Sequence, residues 1–340
     1  MNETLEKSII KEFGEHIIRS GNSVVDTELV VVPISPCLDI ILGGGIPEGS
    51  FVIFTGQPKC GKTTTSLHFS AACQKKEYGG EFCPEGRDIY FFNVEGRLKK
   101  RDLEGIPNLN LEKFHVIGSE PGKILSAEDY LQIAEKVIND VPGSVVIIDS
   151  YSALCTESEI TSGMDKMQRA DGAKLLAKFC RKIANVVPVN RNIVIGITHL
   201  MGNPTGYGAA FKEKSGQAVA YQVDVKLRAK KFSPWMATSD GDLIGQTVEW
   251  QVATSSLGPP GQSITSYIRY GAGIDETTEL VTLATDLGLI QKAGAWYKFS
   301  FTNEEKPPQF QGLEKSRLAL IEDSKLKKLL SNSIKGMLGT

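Results

Sequence analysis

The residues best suited to chemistry stand in one run, Gly56-Gln57-Pro58-Lys59-Cys60-Gly61-Lys62-Thr63, with Thr64 directly behind it. Two glycines separated by four residues let a backbone wrap tightly enough for successive N–H groups to converge on one anion. A helix starting behind the second glycine adds its N-terminal dipole at the same point. Lys62 then reaches the β- and γ-phosphates of a nucleotide, and the Thr63 hydroxyl holds Mg²⁺. Other residues fit complementary parts of such a site. Glu95 follows the apolar run Ile89–Val94, and Asp149 ends the run that starts at Val145. A carboxylate at the C-terminal end of a buried parallel strand sits where α/β sheets place their chemistry, and Asp149 would orient the Mg²⁺ shell. His199 closes a third apolar run, Ile193–Thr198. Taken singly, each has a plainer reading: a surface turn, a solvated turn carboxylate, a satisfied strand-end histidine. Their order along the chain favours the nucleotide site.

Positioning these groups takes a layered α/β framework. Phe51–Phe54 supplies the strand before the loop and Thr64–Ala72 the helix after it, while Pro36–Ser50 reads as a short helix broken by three glycines. Helical spacing recurs over residues 126–140 and 169–187. The second of these carries Arg169, Lys174, Lys178, Arg181 and Lys182, by pattern alone a solvated basic face. Residues 157–168 are polar and read as a loop. Residues 200–217 fit no regular element, and a long structureless stretch in a compact domain is commonly functional or disordered. This one sets Tyr207, Phe211, Lys212 and Lys214 among glycines, a composition suited to gripping single-stranded nucleic acid. Strands are expected at about 219–229, 244–253 and 263–270, a helix over 277–290, and helical tendency over 313–338. At the N-terminus Leu5, Ile9, Phe13 and Ile17 recur every four residues, so residues 2–20 read as one amphipathic helix ended by Gly21-Asn22. Its apolar face could dock on its own chain or on another subunit. Leu29–Val32 follows as a short strand closed by Pro33.

A chain of 340 residues has room for two or three domains and a sizeable core. Its 38 lysines and arginines against 40 aspartates and glutamates leave a net charge of −2, so nucleic-acid binding must come from local basic patches. The six cysteines form no C-x-x-C pair and none stands at zinc spacing from a histidine, which points to reduced thiols. No apolar run is long enough to span a bilayer and no signal pattern opens the chain, so a cytoplasmic protein without membrane contact is expected.

Laid out this way, the chain resembles the RecA family of homologous-recombination ATPases over nearly its whole length. Leu38-Asp39, the glycine run and Gly49 resemble the family's lead-in to its phosphate loop. The segment Asp149-Ser150-Tyr151-Ser152-Ala153-Leu154 is similar to its second nucleotide motif, and Tyr270-Gly271-x-Gly273-Ile274 to the end of its ATPase core. The run from Lys292 to Tyr297 is similar to one in the bacterial C-terminal domain. His199, where bacterial members carry Gln, resembles the T4-type phage recombinases, which suggests a phage-encoded protein acting in its host's cytoplasm.

The resemblance implies an α/β RecA-like core, a mainly parallel sheet flanked by helices. It implies an N-terminal oligomerisation helix and strand over 1–33, an ATPase core with two DNA-binding loops over 34–270, and a small C-terminal lobe over 271–340. It further implies ATP and Mg²⁺ as cofactors and helical filaments on single-stranded DNA that exchange strands with a homologous duplex. Single-strand-binding and loading proteins are further partners to expect. Residues 157–168 and 200–217 correspond by position to the two DNA loops, and Arg169, Lys174 and Arg181 to the basic helix beside them. In hydrolysis, Lys62 and the loop amides fix the phosphates, Thr63 and, through water, Asp149 hold Mg²⁺, Glu95 polarises the attacking water, and His199 senses the γ-phosphate. Two segments depart from the family. The stretch after Glu95 is basic (Arg97, Lys99, Lys100, Arg101), so no adenine contacts are assigned there. Ala253-Thr254-Ser255-Ser256 lies where bacterial members give lysines to the neighbour's ATP. Either hydrolysis is slow, or Lys230 and Lys231 act across the interface instead. The rival classes are a ring-forming helicase motor and a non-catalytic ATP-binding recombination regulator.

Overall fold

The computed structural model describes residues 3–14, 17–163, 171–202, 211–213, 222–237, 241–256 and 259–338. The chain divides into two units, residues 1–30 and 31–340. The first holds α1 (Glu3–Phe13) and α2 (Gly21–Val25). The helix expected over 2–20 therefore stops at Phe13, and a separate one begins at Gly21, where the expected helix was to have ended. Gly14, at φ +109°, stops α1, because only glycine adopts such a backbone freely. The Ser20 hydroxyl then caps α2 by accepting from the Ser23 N–H.

The second unit opens with β1 (Val31–Val32), α3 (Pro36–Leu42) and β2 (Ile46–Pro47), and β1 pairs with β2. The alternation continues through β3 (Phe51–Gly56), α4 (Lys62–Cys73), β4 (Ile89–Asn93), α5 (Lys100–Glu104), β5 (Phe114–Ile117), α6 (Ala127–Asp140) and β6 (Val145–Asp149). After α7 (Glu157–Thr161), α8 (Asp171–Ile183) and α9 (Val186–Val189) come β7 (Ile193–Gly202), β8 (Phe211–Glu213), β9 (Val225–Met236), β10 (Leu243–Ser255), β11 (Ser263–Arg269) and β12 (Gly273–Ile274). The large sheet runs β12-β11-β10-β9-β3-β7-β6-β4-β5. Pairing is parallel from β9 to β5 and antiparallel from β9 to β12. This is the mainly parallel α/β core that the resemblance implies. Strands β3 and β6 are covered on both faces, hence their unbroken apolar sequences. On one face Tyr130, Leu131, Ala134 and Ile138 of α6 meet Leu176, Phe179 and Ile183 of α8 over Phe92, Val146 and Ile148.

The chain then forms α10 (Glu276–Asp286), a three-stranded sheet of β13 (Ile290–Ala293), β14 (Trp296–Phe299) and β15 (Gln309–Gln311), and α11 (Leu313–Glu322) and α12 (Ser324–Leu338). These elements share an apolar cluster around Leu280, Val281, Phe299, Leu320 and Leu330. The helical stretch expected over 313–338 breaks at Asp323, whose carboxylate accepts from the N–H groups of Lys325 and Leu326 to start α12.

Three further expectations change. Residues 157–168 begin as a helix, because Thr156 and Glu159 form a capping box. The segment 200–217 is not wholly irregular: β7 runs on to Gly202, past the last pairing of β3 at His199, and Leu200–Gly202 pair antiparallel with Phe211–Glu213. A strand that outruns its sheet neighbour needs another partner for its backbone groups. Strand β9 starts later than expected and extends to Met236 on a long antiparallel pairing with β10. Just before β4 and β3 in the chain, Arg87 and Glu48 are fully buried as an ion pair, with Arg191 3.1 Å from the other Glu48 oxygen. Arg87 also donates to the carbonyls of Tyr78 and Gly143, both at 2.8 Å. Among the described residues no helix is long and apolar enough to cross a membrane.

Candidate nucleotide site

Strand register brings the chemistry together. In the β3–β7 pair Gly56 lies opposite His199, and in the β4–β6 pair Asn93 lies opposite Asp149. Strands β3, β4 and β6 thus end on one side of the sheet while β7 passes on beside them, and Glu95 follows two residues beyond Asn93. They open onto a cleft of ≈ 770 Å³ lined by Lys62, Thr63, Thr64, Glu95, Asp149 and His199 among others.

The loop over β3 is built for an anion. Gly61, at φ +88°, is the N-cap of α4 and contributes no capping side chain. Lys59 at the loop crest also has positive φ, 63°. Gln57, Pro58 and Lys59 are exposed, whereas Cys60 is buried with its Sγ 3.6 Å from Lys62 Nζ. A side chain at Gly56 would come within 2.7 Å of that sulfur. Lys62 is itself buried, and its ammonium donates to the carbonyls of Gly56 (3.1 Å) and Gln57 (2.7 Å). Those carbonyls hold the ammonium at the mouth of the loop, where a phosphate would take it over.

Behind the loop the Thr63 hydroxyl donates to Asp149 Oδ2 at 2.6 Å. Burial pushes the Asp149 carboxyl above the usual carboxylate range, and the Thr63 hydroxyl opposes that rise. Two oxygens converging at the start of α4 suit Mg²⁺, a hard ion usually held by one or two protein oxygens plus phosphates and water. No cluster of three or more His, Cys, Asp or Glu able to hold a metal exists among the described residues.

Glu95 is held from three sides. Its Oε1 lies 2.6 Å from His199 Nε2 and accepts from the Ser150 hydroxyl at 2.8 Å. Its Oε2 has Arg97 Nη1 at 3.6 Å. The hydrogen bond from His199, with those of Ser150 and the Arg97 charge, holds the Glu95 carboxyl down at about 2 against the opposing effect of burial. His199 is fixed in turn, since its backbone N–H donates to Ser152 Oγ at 2.9 Å. From β7 the chain continues directly into the pairing with β8.

Among the residues named for DNA, Lys174 and Arg181 lie exposed on α8, with Lys174 Nζ 3.6 Å from Asp171. Phe211 and Lys212 fall on β8. Arg169, Tyr207 and Lys214 lie outside the described residues. Lys230 and Lys231 are not at a strand end, as the sequence suggested, but inside β9, because pairing with β10 continues past them; Lys230 meets Glu249 at 3.2 Å.

Sequence reasoning missed part of the cleft wall. Arg97, Leu98 and Arg101 line it, as do Phe232, Gln246 and Tyr270. Gln246 donates to the Lys59 carbonyl at 3.1 Å from a strand far along the chain, a contact that no local pattern signals. Ser150 carried a signal, since it directly follows Asp149 in the second nucleotide motif.

The family model described as the RecA N-terminal domain matches residues 1–275. Protein RecA of Oleidesulfovibrio alaskensis is 27% identical over 340 residues, covering 99% of this chain and 91% of that relative. Protein RecA of Streptococcus gordonii is 31% identical over 324 residues (92% and 78%), and that of Campylobacter hominis 29% over 344 residues (100% and 92%).

Proposed function

The chain belongs to the RecA family, and from that premise we propose which of its residues carry the family's chemistry. It is a RecA-type recombinase and a DNA-dependent ATPase that uses ATP with Mg²⁺, binds single- and double-stranded DNA and forms filaments. Homologous pairing and strand exchange are the activities characteristic of that family.

The phosphate cradle is the loop Gly56–Thr63 with Thr64. Lys62 exchanges its two loop carbonyls for phosphate oxygens. Thr63 and, through water, Asp149 hold Mg²⁺, which neutralises charge on the β- and γ-oxygens when bound. Glu95 orients the attacking water. A carboxylate held near 2 stays ionised at neutral pH and serves as an acceptor that aligns the water's lone pair with the γ-phosphorus. The loose transition state of phosphoryl transfer asks for positioning more than for early proton removal. His199 joins this carboxylate to the strand leading into the second DNA loop, so a change at the γ-phosphate has a path to DNA.

For DNA we assign Arg169, Lys174 and Arg181 to phosphates beside the first loop. In the second, Lys212 and Lys214 neutralise phosphates, and Tyr207 and Phe211 stack on bases. The division at about 33 and 270 is retained, with the apolar cluster around Phe299 and Leu320 supporting a C-terminal lobe. Cytoplasmic action, in a host if the gene is a phage's, and cooperation with single-strand-binding and loading proteins complete the proposal.

The observation that carries the catalytic assignment is the Glu95 carboxylate, bonded to His199 at 2.6 Å beside the Thr63–Asp149 pair. Its test compares two variants. Glu95→Gln should bind ATP normally and hydrolyse it about 100- to 10,000-fold more slowly, whereas Lys62→Ala should weaken nucleotide binding itself. Parental turnover in Glu95→Gln would remove Glu95 from the mechanism.

A further inference from the structure

We propose that Arg97 is a second cation, beside Lys62, that acts on the γ-phosphate of the ATP bound by its own subunit. The proposal rests on the nucleotide site assigned above and adds a residue to it. Of the two Glu95 oxygens, Oε1 already holds His199 and Ser150. Oε2 faces Arg97 Nη1 at 3.6 Å, so the guanidinium stands at the lobe a water must occupy to be aligned by this carboxylate. Its side chain is 83% exposed and lines the same cleft as Lys62 and Thr63. An ion pair that exposed is weak. A triphosphate with several negative charges therefore outbids one carboxylate for a guanidinium whose planar donors match phosphate oxygens.

Other basic side chains of the cleft are less suited. Arg269 is engaged by Asp275 at 2.7 Å and Glu314 at 3.0 Å. Lys59 and Arg101 also line the cleft, but Lys59 stands on the loop and Arg101 leans on Asp102 at 3.5 Å, whereas Arg97 stands against Glu95. The neutral stretch Ala253–Ser256 brings no cation across an interface either.

Binding and activation are thus one movement. Arg97 leaves Oε2 for the γ-phosphoryl oxygens, and Oε2 becomes free to accept from the attacking water. The water oxygen bonds to the γ-phosphorus, the bond to the β,γ-bridging oxygen breaks, and its electron pair leaves with ADP. The water's proton goes to the released phosphate or to solvent, and Arg97 balances the charge spread over the equatorial oxygens.

The test uses the full chain on single-stranded DNA. Arg97→Ala should lower kcat about 100- to 1,000-fold. Its affinity for a non-hydrolysable ATP analogue should fall modestly, and its affinity for ADP with aluminium fluoride, a mimic of the planar transition state, should fall far more steeply. Arg97→Lys should recover part of both. Mixing Arg97→Ala with Lys62→Ala protein should restore nothing, because both defects fall on the phosphate-loop side of every interface. Restored hydrolysis in mixed filaments would overturn the cis assignment and place Arg97 in the neighbour's site. Parental kcat in Arg97→Ala, with Glu95→Gln inactive, would overturn the proposal and leave the nucleotide site standing. Parental kcat in both would remove the site assignment itself.

Discussion

Replacing His199 with alanine removes the largest cause of the low Glu95 pKa. The fall from an ordinary glutamate near 4.5 to about 2 corresponds to about 3 kcal/mol of preference for the ionised form in the folded protein. Glu95 is only 17% exposed, so solvent screens little of this. Because the folded value lies below the unfolded one, that stabilisation is complete above about pH 4.5 and is lost as pH falls towards 2. His199→Ala should therefore cost about 1.5–3 kcal/mol at neutral pH, the scale of one hydrogen bond to a charged group. The deficit relative to the parent should shrink by roughly half near pH 3, where the parent is losing the same contribution. Two measurements check this. Denaturant melts between pH 3 and 7 give the deficit, and carbon-detected NMR of labelled glutamate gives the Glu95 titration, which should move from near 2 up towards the ordinary range. Hydrolysis should fall as well, because Glu95 loses the group that fixes its rotamer. A Glu95 titration unmoved in the variant, or a stability deficit that does not change with pH, would refute the assigned role of the 2.6 Å contact.

Other perturbations follow from the same geometry. Asp149→Asn should raise the Mg²⁺ concentration needed for tight ATP binding about 10- to 100-fold, read from nucleotide affinity across a Mg²⁺ titration; an unchanged midpoint would remove Asp149 from the metal's shell. Arg87→Ala takes the buried guanidinium from the Glu48 carboxylate and leaves it Arg191 at 3.1 Å; it should cost about 3–5 kcal/mol in a denaturant melt, while a loss under about 1 kcal/mol would mean that water or Arg191 compensates for the pair. For DNA, Lys212→Ala/Lys214→Ala should lower the salt-dependence slope by about 0.7 per lost contact, and Tyr207→Ala/Phe211→Ala should cost about 1–3 kcal/mol per stack. Unchanged affinity and slope in both pairs would move DNA binding to other surfaces.

Most of the parallel half of the fold was legible because its central strands are buried on both faces, whereas the edge strand β5, with His115 and Val116 exposed, was not read. Ile147 and Phe92 have no exposed side, so their runs are unbroken and end where the chemistry starts. The phosphate loop, the carboxylate beyond β4 and the one that ends β6 follow from that punctuation. The antiparallel half was blurred by mixed exposure. Beyond Ala229, β9 presents Lys230, Lys231 and Phe232 to solvent, and partners distant in sequence hold it. The Trp235 ring meets Tyr267 at 5.3 Å and Arg269 at 4.8 Å. The N-terminal helix was read too long because periodicity survives across Gly14, whereas the backbone does not. Thr156 and Glu159 carried a capping signal that the polar composition around them concealed. The contact between Glu95 and His199 joins residues 104 apart in the chain. The strand ends predicted their neighbourhood, but only side-chain geometry gives the bond.

Electron microscopy of Glu95→Gln protein with ATP, Mg²⁺ and single-stranded DNA, paired with analysis of the bound nucleotide, tests the central claim most directly. A filament-forming recombinase whose water-orienting group is Glu95 should give open helical filaments that persist and retain ATP. Closed rings, no assembly, or filaments filled with ADP at the parental rate would contradict it.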